Sequence, residues 1–152
     1  MRWLNAAERR IDRLIGRARG GTAFAFMARL TRLEKTDMRK PISPRIHGVI
    51  DYTTSAAVAA APAIFDFPKP ATALFESLAA GYTGLSAVTD YPLAVRRKVP
   101  FKAHGAAELA IAAVLPALPW ALGFAENKAA RNLCFGLTAL TLVVAALTDW
   151  ED

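Results

Sequence analysis

The chain contains the same pattern twice, and this repeat constrains its fold more than any other feature. The segment 45–51 reads RIHGVID and returns at 102–108 as KAHGAAE. Both histidines of the chain, His47 and His104, lie in this segment, 57 positions apart, and an acid follows each of them four residues later. Pro62 and Pro119 match at the same spacing, and so do Phe67 and Phe124. The repeat predicts two copies of one structural unit.

Each copy holds two apolar segments joined by a short turn. The segments are 44–65, 71–89, 100–124 and 129–148. Their lengths suit the roughly 20 residues that a helix needs to cross the hydrocarbon of a bilayer. The sequence therefore predicts an all-α fold with four transmembrane helices in a domain at 44–152. Its parts are two tandem hairpins, repeat 1 at 44–91 and repeat 2 at 100–152, and a basic linker at 92–99.

A soluble, alanine-rich helical bundle is the alternative to this arrangement. Asp51, Glu76 and Glu108 interrupt the apolar segments, and alanine is only weakly lipophilic. Four segments of nearly membrane-spanning length, combined with an uneven distribution of positive charge, favour the membrane protein.

The positive charge is concentrated in two parts of the chain. Of the 19 lysines and arginines, 12 lie in residues 1–46 and four lie at positions 96–98 and 102. If four helices cross the bilayer, these two parts lie on the same side of it. The positive-inside rule then predicts that both termini lie in the cytoplasm.

Residues 1–43 form a basic segment with an amphipathic helical pattern at 3–18 and 22–35. The pattern favours a helix that lies on a membrane surface rich in anionic lipid, and the alternative is a helix packed on the protein's own body. No nucleic-acid recognition motif accompanies the basic residues, so nucleic acid is not an expected partner. The residues expected to contact lipid or a partner protein, here and in the linker, are Trp3, Arg9, Arg10, Arg13, Arg17, Arg96, Arg97 and Lys98.

The repeated unit resembles the SPW-repeat family of small bacterial integral membrane proteins, over residues 45–91 and 102–150. The second copy carries the motifs of the resemblance as His104-Gly105 with Glu108, Leu118-Pro119-Trp120 and Gly123-Phe124. The first copy has His47-Gly48 with Asp51, Ala61-Pro62-Ala63 and Asp66-Phe67. Neither copy has the serine of the family name, and the first lacks the tryptophan. The resemblance implies two hairpins and four spanning helices, and it implies no catalytic residues.

The candidate site is the set His47, Asp51, His104 and Glu108. Within each copy the histidine and the acid are four residues apart, so they share one face of a helix. The first interpretation is structural, since a carboxylate early in a helix favours the helix dipole and such pairs can hold two hairpins together. The alternatives are a site for Zn²⁺, iron or manganese, a proton or ion path, and haem held between the two histidines.

The expected function is that of a non-enzymatic membrane protein, either an accessory or scaffold subunit or a membrane-organising protein. No cofactor is expected. The expected partner is another protein or a second copy of the chain in the membrane. The alternatives are a small metal- or haem-binding membrane protein and a minimal oligomeric transporter or channel. No phosphate loop, nucleophile elbow or HExxH motif is present. The residues expected at helix-packing positions are Ser77, Gly81, Gly84, Pro62 and Pro119.

Overall fold

The computed structural model describes residues 40–151, and these residues are helical without any extended strand, which confirms the all-α fold class. The interpretations placed on residues 1–39, among them the amphipathic helices and the contacts of Trp3 and four arginines, lie outside the described residues. The helices are α1 (Pro44–Ile64), α2 (Lys69–Val88), α3 (Phe101–Val114), α4 (Leu118–Ala121) and α5 (Lys128–Leu147), with a 3₁₀ turn at Leu115–Ala117 between α3 and α4.

Local sequence signals set where these helices begin. The Ser43 side chain accepts a hydrogen bond from the Ile46 backbone N–H, and Pro44 occupies the first turn of α1, where its missing N–H costs nothing. The Asn127 side chain accepts from the Ala130 N–H at 2.9 Å and so caps α5.

Both hairpins turn in the same way. Asp66 and Gly123, which are 57 positions apart, have positive φ angles of 50° and 74°. Immediately after them, the Phe67 N–H donates to the Pro62 carbonyl at 3.0 Å. The equivalent bond in the second hairpin runs from Phe124 to Pro119 and is 2.8 Å long. This six-to-one bond, with a left-handed residue before its donor, is the Schellman ending of a helix.

Prolines shape the ends of the first and third helical segments. Pro62 lies inside α1, which ends two residues later at Ile64. In the second hairpin the α-helix stops at Val114, because Pro116 lies in the 3₁₀ turn and lacks the N–H that an α-helix would use there. Pro119 then lies in the first turn of the short α4 and is fully buried.

Within the hairpins, α1 packs along α2, and α3 with α4 packs along α5. The apolar core lies toward the turns of both hairpins. It includes Phe67, Phe75, Leu115, Phe124 and Cys134, the one cysteine of the chain, which is fully buried as a small apolar side chain.

Two short backbone pairings tie the hairpins together at the opposite end of the bundle. Ile42, which precedes α1, pairs in parallel with Thr148, which follows α5. Val99, which precedes α3, pairs in the same way with Thr89, which follows α2. The start of each hairpin therefore lies beside the end of the other, and this crossing places the candidate site residues.

Two of the four predicted spans meet the length and hydropathy that crossing a membrane requires. They are Phe101–Ala121, which includes α3 and α4, and Lys128–Leu147, which is α5. The helices α1 and α2 are long enough, but polar side chains such as His47, Asp51 and Glu76 lower their hydropathy. The prediction of four spanning helices is therefore met, by length and hydropathy, in the second hairpin only.

Three small residues of α2 were expected at helix-packing positions, but they do not pack against the other described helices. Ser77, Gly81 and Gly84 are exposed, and a Cβ atom added at either glycine would meet no described atom within 4 Å. The buried face of α2 is formed instead by Ala71, Phe75, Ala79 and Ser86, so the three small residues lie on the outer side.

Candidate metal centre

The structure brings the four predicted site residues into one buried cluster. His47 and Asp51 lie in the first two turns of α1, and His104 and Glu108 occupy the equivalent turns of α3. The histidines are fully buried, and Asp51 and Glu108 are only 5% and 6% exposed. One ligand atom from each residue can be chosen so that all four lie within 4.8 Å of one another.

Each carboxylate faces both histidines. His47 Nε2 lies 3.4 Å from Asp51 Oδ1 and 3.3 Å from Glu108 Oε2. His104 Nε2 lies 3.3 Å from Asp51 Oδ2 and 3.5 Å from Glu108 Oε1. The two histidines and the two acids thus alternate around a common centre, and two of the four contacts, His47 with Glu108 and His104 with Asp51, join the two hairpins.

Threonines at the ends of the hairpins fix the orientation of both rings. His47 Nδ1 lies 2.9 Å from Thr148 Oγ1, and His104 Nδ1 lies 2.8 Å from Thr89 Oγ1. Each threonine hydroxyl donates its own proton to the carbonyl four residues earlier, at 2.6 Å in Thr148 and 2.7 Å in Thr89. The threonine oxygen must therefore accept from the histidine, so we assign the proton to Nδ1 in both rings. Each Nε2 is left to face the carboxylates.

Neither Nε2 atom makes a hydrogen bond with any described residue, although both are buried. A charge-assisted N–H···O bond is about 2.7–2.9 Å long, whereas the four N···O distances here are 3.3–3.5 Å. Ligands of a tetrahedral ion with bonds of 2.0–2.1 Å are separated by about 3.3–3.4 Å. The four N···O separations are thus longer than such hydrogen bonds and close to the spacing of ligands around a metal ion.

The two carboxylates differ in their surroundings. Asp51 Oδ2 accepts hydrogen bonds from Ser86 Oγ at 3.1 Å and from the Tyr91 hydroxyl at 3.3 Å. Burial raises the pKa of the Tyr91 phenol above its ordinary value, so this donor keeps its proton. Among the described side chains, Glu108 has polar contacts only with the two histidines. Asp51 is thus held in place, and Glu108 is the freer ligand.

Glycine follows each histidine because an aromatic ring lies against the backbone there. A Cβ atom added at Gly48 would lie 2.8 Å from the Tyr91 ring, and one added at Gly105 would overlap the Trp150 ring. Trp150 is fixed in turn by its Nε1–H, which donates to the Ala145 carbonyl at 2.9 Å. Its ring centre lies 5.1 Å from that of His47.

The threonines, Ser86 and the packing role of the aromatics were not identified from the sequence. The available signal was the repetition of Thr89-Asp90-Tyr91 as Thr148-Asp149-Trp150, 59 positions later. Asp90 has an exposed pair with Arg97 at 3.6 Å. The linker residues Arg96, Arg97 and Lys98 are all exposed, as a contact with lipid or a partner requires.

The cluster does not fit haem between the two histidines. Their ring centres are 5.4 Å apart, and both carboxylates reach into the space between their Nε2 atoms. A planar macrocycle with one histidine on each face would have to occupy that same space. One ligand atom from each of the four side chains lies within 4.8 Å of the others, so small shifts of these side chains would bring all four to a single metal ion.

The change Gly105→Ala should destabilise the protein, because the Trp150 ring lies against the backbone at this position. The new methyl group must push the Trp150 ring away from α3, and overpacking of this kind costs about 1–3 kcal/mol. Thermal unfolding in mild detergent should show this loss of stability as a lower melting temperature, and the tryptophan fluorescence should change. Gly136→Ala is the matched control, because the added methyl group meets nothing within 4 Å and alanine favours the helix. Equal effects of the two changes would contradict the packing described here.

Comparison of the chain with protein-family models, with curated proteins and with solved structures finds no match.

Proposed function

We propose that this protein is an integral protein of the bacterial inner membrane in which one Zn²⁺ ion, bound by His47, Asp51, His104 and Glu108, joins two helical hairpins. Its role is that of a non-enzymatic accessory or scaffold subunit whose fold depends on the ion. The observation that supports this most is the pair of buried Nε2 atoms, which face four carboxylate oxygens at 3.3–3.5 Å without a hydrogen bond to any described residue.

Zinc fits the chemistry of the four ligands. Two imidazole nitrogens and two carboxylate oxygens are ligands that Zn²⁺ accepts in tetrahedral geometry. The two carboxylates balance the charge of the ion, so the buried centre is neutral overall. Oxygen-rich sites favour Mg²⁺ or Ca²⁺, whereas paired imidazoles favour a transition ion.

The surroundings of the ligands are those of a metal site. A histidine that binds a metal normally donates its other ring N–H to an oxygen, which fixes the ring and raises its basicity. Thr148 and Thr89 provide that oxygen for His47 and His104. Each threonine belongs to the hairpin opposite to its histidine, so metal binding and association of the hairpins reinforce each other.

An ion-pair cluster without metal explains the same residues less well. It would require both histidines to be protonated, so that four charges would lie in the interior, where desolvation is costly unless the hydrogen bonds are good. The Nε2 atoms lack such bonds to the described residues. Metal coordination supplies the attraction at the separations that the cluster has.

The distribution of polar and apolar side chains supports a place in the membrane. Charged residues are buried at the centre, while large apolar side chains such as Trp120, Leu142 and Val143 are more than half exposed. Only 17% of the most apolar stretch of α5 is buried, whereas the core helix of a soluble protein would be mostly buried. Lipid is the solvent that such a surface fits.

The first hairpin is proposed to span the bilayer together with the second. In α1, His47 and Asp51 lower the hydropathy, but they are buried within the bundle and do not meet lipid. The equivalent hydrogen bonds of the two hairpins, 57 positions apart, support an internal duplication, and so does the resemblance to SPW-repeat proteins. Both termini and the linker are proposed to lie in the cytoplasm, with their basic residues on anionic lipid.

Metal analysis of the full chain tests the proposed function. Protein purified in mild detergent from zinc-supplemented cells should hold one Zn²⁺ per chain. The double variant His47→Ala with His104→Ala should hold none, and Glu108→Gln should lose most of it. The control Asp90→Asn removes an exposed carboxylate outside the cluster and should keep the full amount. A parent protein without stoichiometric metal would contradict the proposal.

The affinity for zinc should also depend on the threonines that accept hydrogen bonds from the histidines. Thr148→Val keeps the size of the side chain but removes the oxygen that accepts from His47. Loss of such a supporting contact lowers metal affinity by about 10–100-fold. Thr138→Val is the matched control, because the Thr138 hydroxyl donates only to the backbone carbonyls of Ala112 and Cys134. The metal affinity of this variant should equal that of the parent protein.

The orientation can be checked with single cysteines in a Cys134→Ala background. A membrane-impermeant maleimide should label Glu126→Cys, in the turn of the second hairpin, in intact spheroplasts. It should label Lys98→Cys, in the linker, only after the membrane is opened. Labelling of both positions from the same side would show that the second hairpin does not cross the membrane.

A further inference from the structure

A small cavity lies against the carboxylate side of the four-residue cluster. Its volume is about 50 Å³, and all four long helices contribute to its wall. Asp51 and Glu108 line it, together with the hydroxyl-bearing residues Thr54, Ser55, Tyr82 and Thr141. The rest of the wall is largely apolar. The space is therefore polar where it meets the cluster and apolar farther from it.

Ser55 indicates what the cavity holds. It lies one helical turn after Asp51 on the same face of α1 and is only 5% exposed. Its Oγ atom makes no hydrogen bond to any other part of the described chain. A buried hydroxyl without a partner is unfavourable, so a group that hydrogen-bonds Oγ from the cavity would stabilise the protein. The equivalent position in α3 is Ala112, so the two hairpins differ here.

The size and charge of the site limit the ligand. A buried water needs about 10–15 Å³ and two to four polar partners, so the cavity has room for about three waters. Because the ion and the two carboxylates together are neutral, an anion would gain little from the site and would lose its hydration. The ligand that suits this space is neutral and of the size of a water molecule.

We infer that the metal ion is open toward this cavity and takes a water molecule, held by Ser55 Oγ, as an exchangeable fifth ligand. This rests on the proposed metal site. Glu108 has no polar contact other than with the two histidines among the described residues and is the ligand that moves to admit the water. Zn²⁺ sites that bind water are known to expand to five ligands, so the site can exchange small ligands although its protein ligands are buried.

Cobalt substitution of the full chain tests this inference. Four-coordinate Co²⁺ has intense visible absorption bands, and five-coordinate Co²⁺ has weaker ones. The parent protein loaded with Co²⁺ should show the weaker bands, and its electron paramagnetic resonance lines should broaden in ¹⁷O-enriched water. In Ser55→Val, whose side chain fills the space beside the ion and offers no hydroxyl, the bands should become intense and the ¹⁷O broadening should disappear.

Two further variants keep the test decisive. Ser55→Ala removes only the hydroxyl, so it should weaken the ¹⁷O broadening even if the valine variant fails to fold. Ser77→Ala is the matched control on the exposed side of α2 and should behave as the parent. Intense four-coordinate bands with no ¹⁷O effect in the parent would overturn the open position while leaving the metal site intact. A parent protein that binds no Co²⁺ and no Zn²⁺ would overturn both.

Discussion

The structure depends on two imidazoles and two carboxylates that are removed from water and turned toward one centre. Such groups are unfavourable in the interior of a protein unless each polar atom has a partner. Threonine oxygens satisfy the Nδ1 atoms, and Ser86 and Tyr91 satisfy part of Asp51. The two Nε2 atoms remain without a hydrogen-bond partner among the described residues. In the proposed metal site, a divalent ion would be their partner.

The remaining architecture serves to hold this cluster. The parallel pairings of Ile42 with Thr148 and of Thr89 with Val99 place the end of each hairpin beside the start of the other. Gly48 and Gly105 then let Tyr91 and Trp150 close against the helices that carry the histidines. With the four polar side chains of the cluster directed inward, large apolar side chains such as Trp120, Leu142 and Val143 remain on the outer surface, where Glu76 of α2 is also exposed.

The sequence predicted the helices and the four site residues because both depend on spacing along the chain. Apolar length and turn residues located the hairpins, and the four-residue spacing put each histidine on the face of its acid. The roles of Thr89 and Thr148 could not be predicted, since spacing does not tell which helix end meets which helix start. Ser77, Gly81 and Gly84 were assigned to packing, but a small residue fits a helix contact and a lipid-facing surface equally well. The cavity beside Ser55 depends on how side chains fill space, which no pattern of residue types records.

X-ray absorption spectroscopy at the zinc edge is the most direct test of the claim that one ion joins the two hairpins. The account predicts a shell of nitrogen and oxygen ligands at about 2.0–2.1 Å, with the outer-shell scattering of two imidazole rings and no sulfur near 2.3 Å. Glu108→Gln should change this shell, and Asp90→Asn should leave it unaltered. A spectrum with one imidazole or none, or with a sulfur ligand, would contradict a centre built from one histidine and one acid of each hairpin.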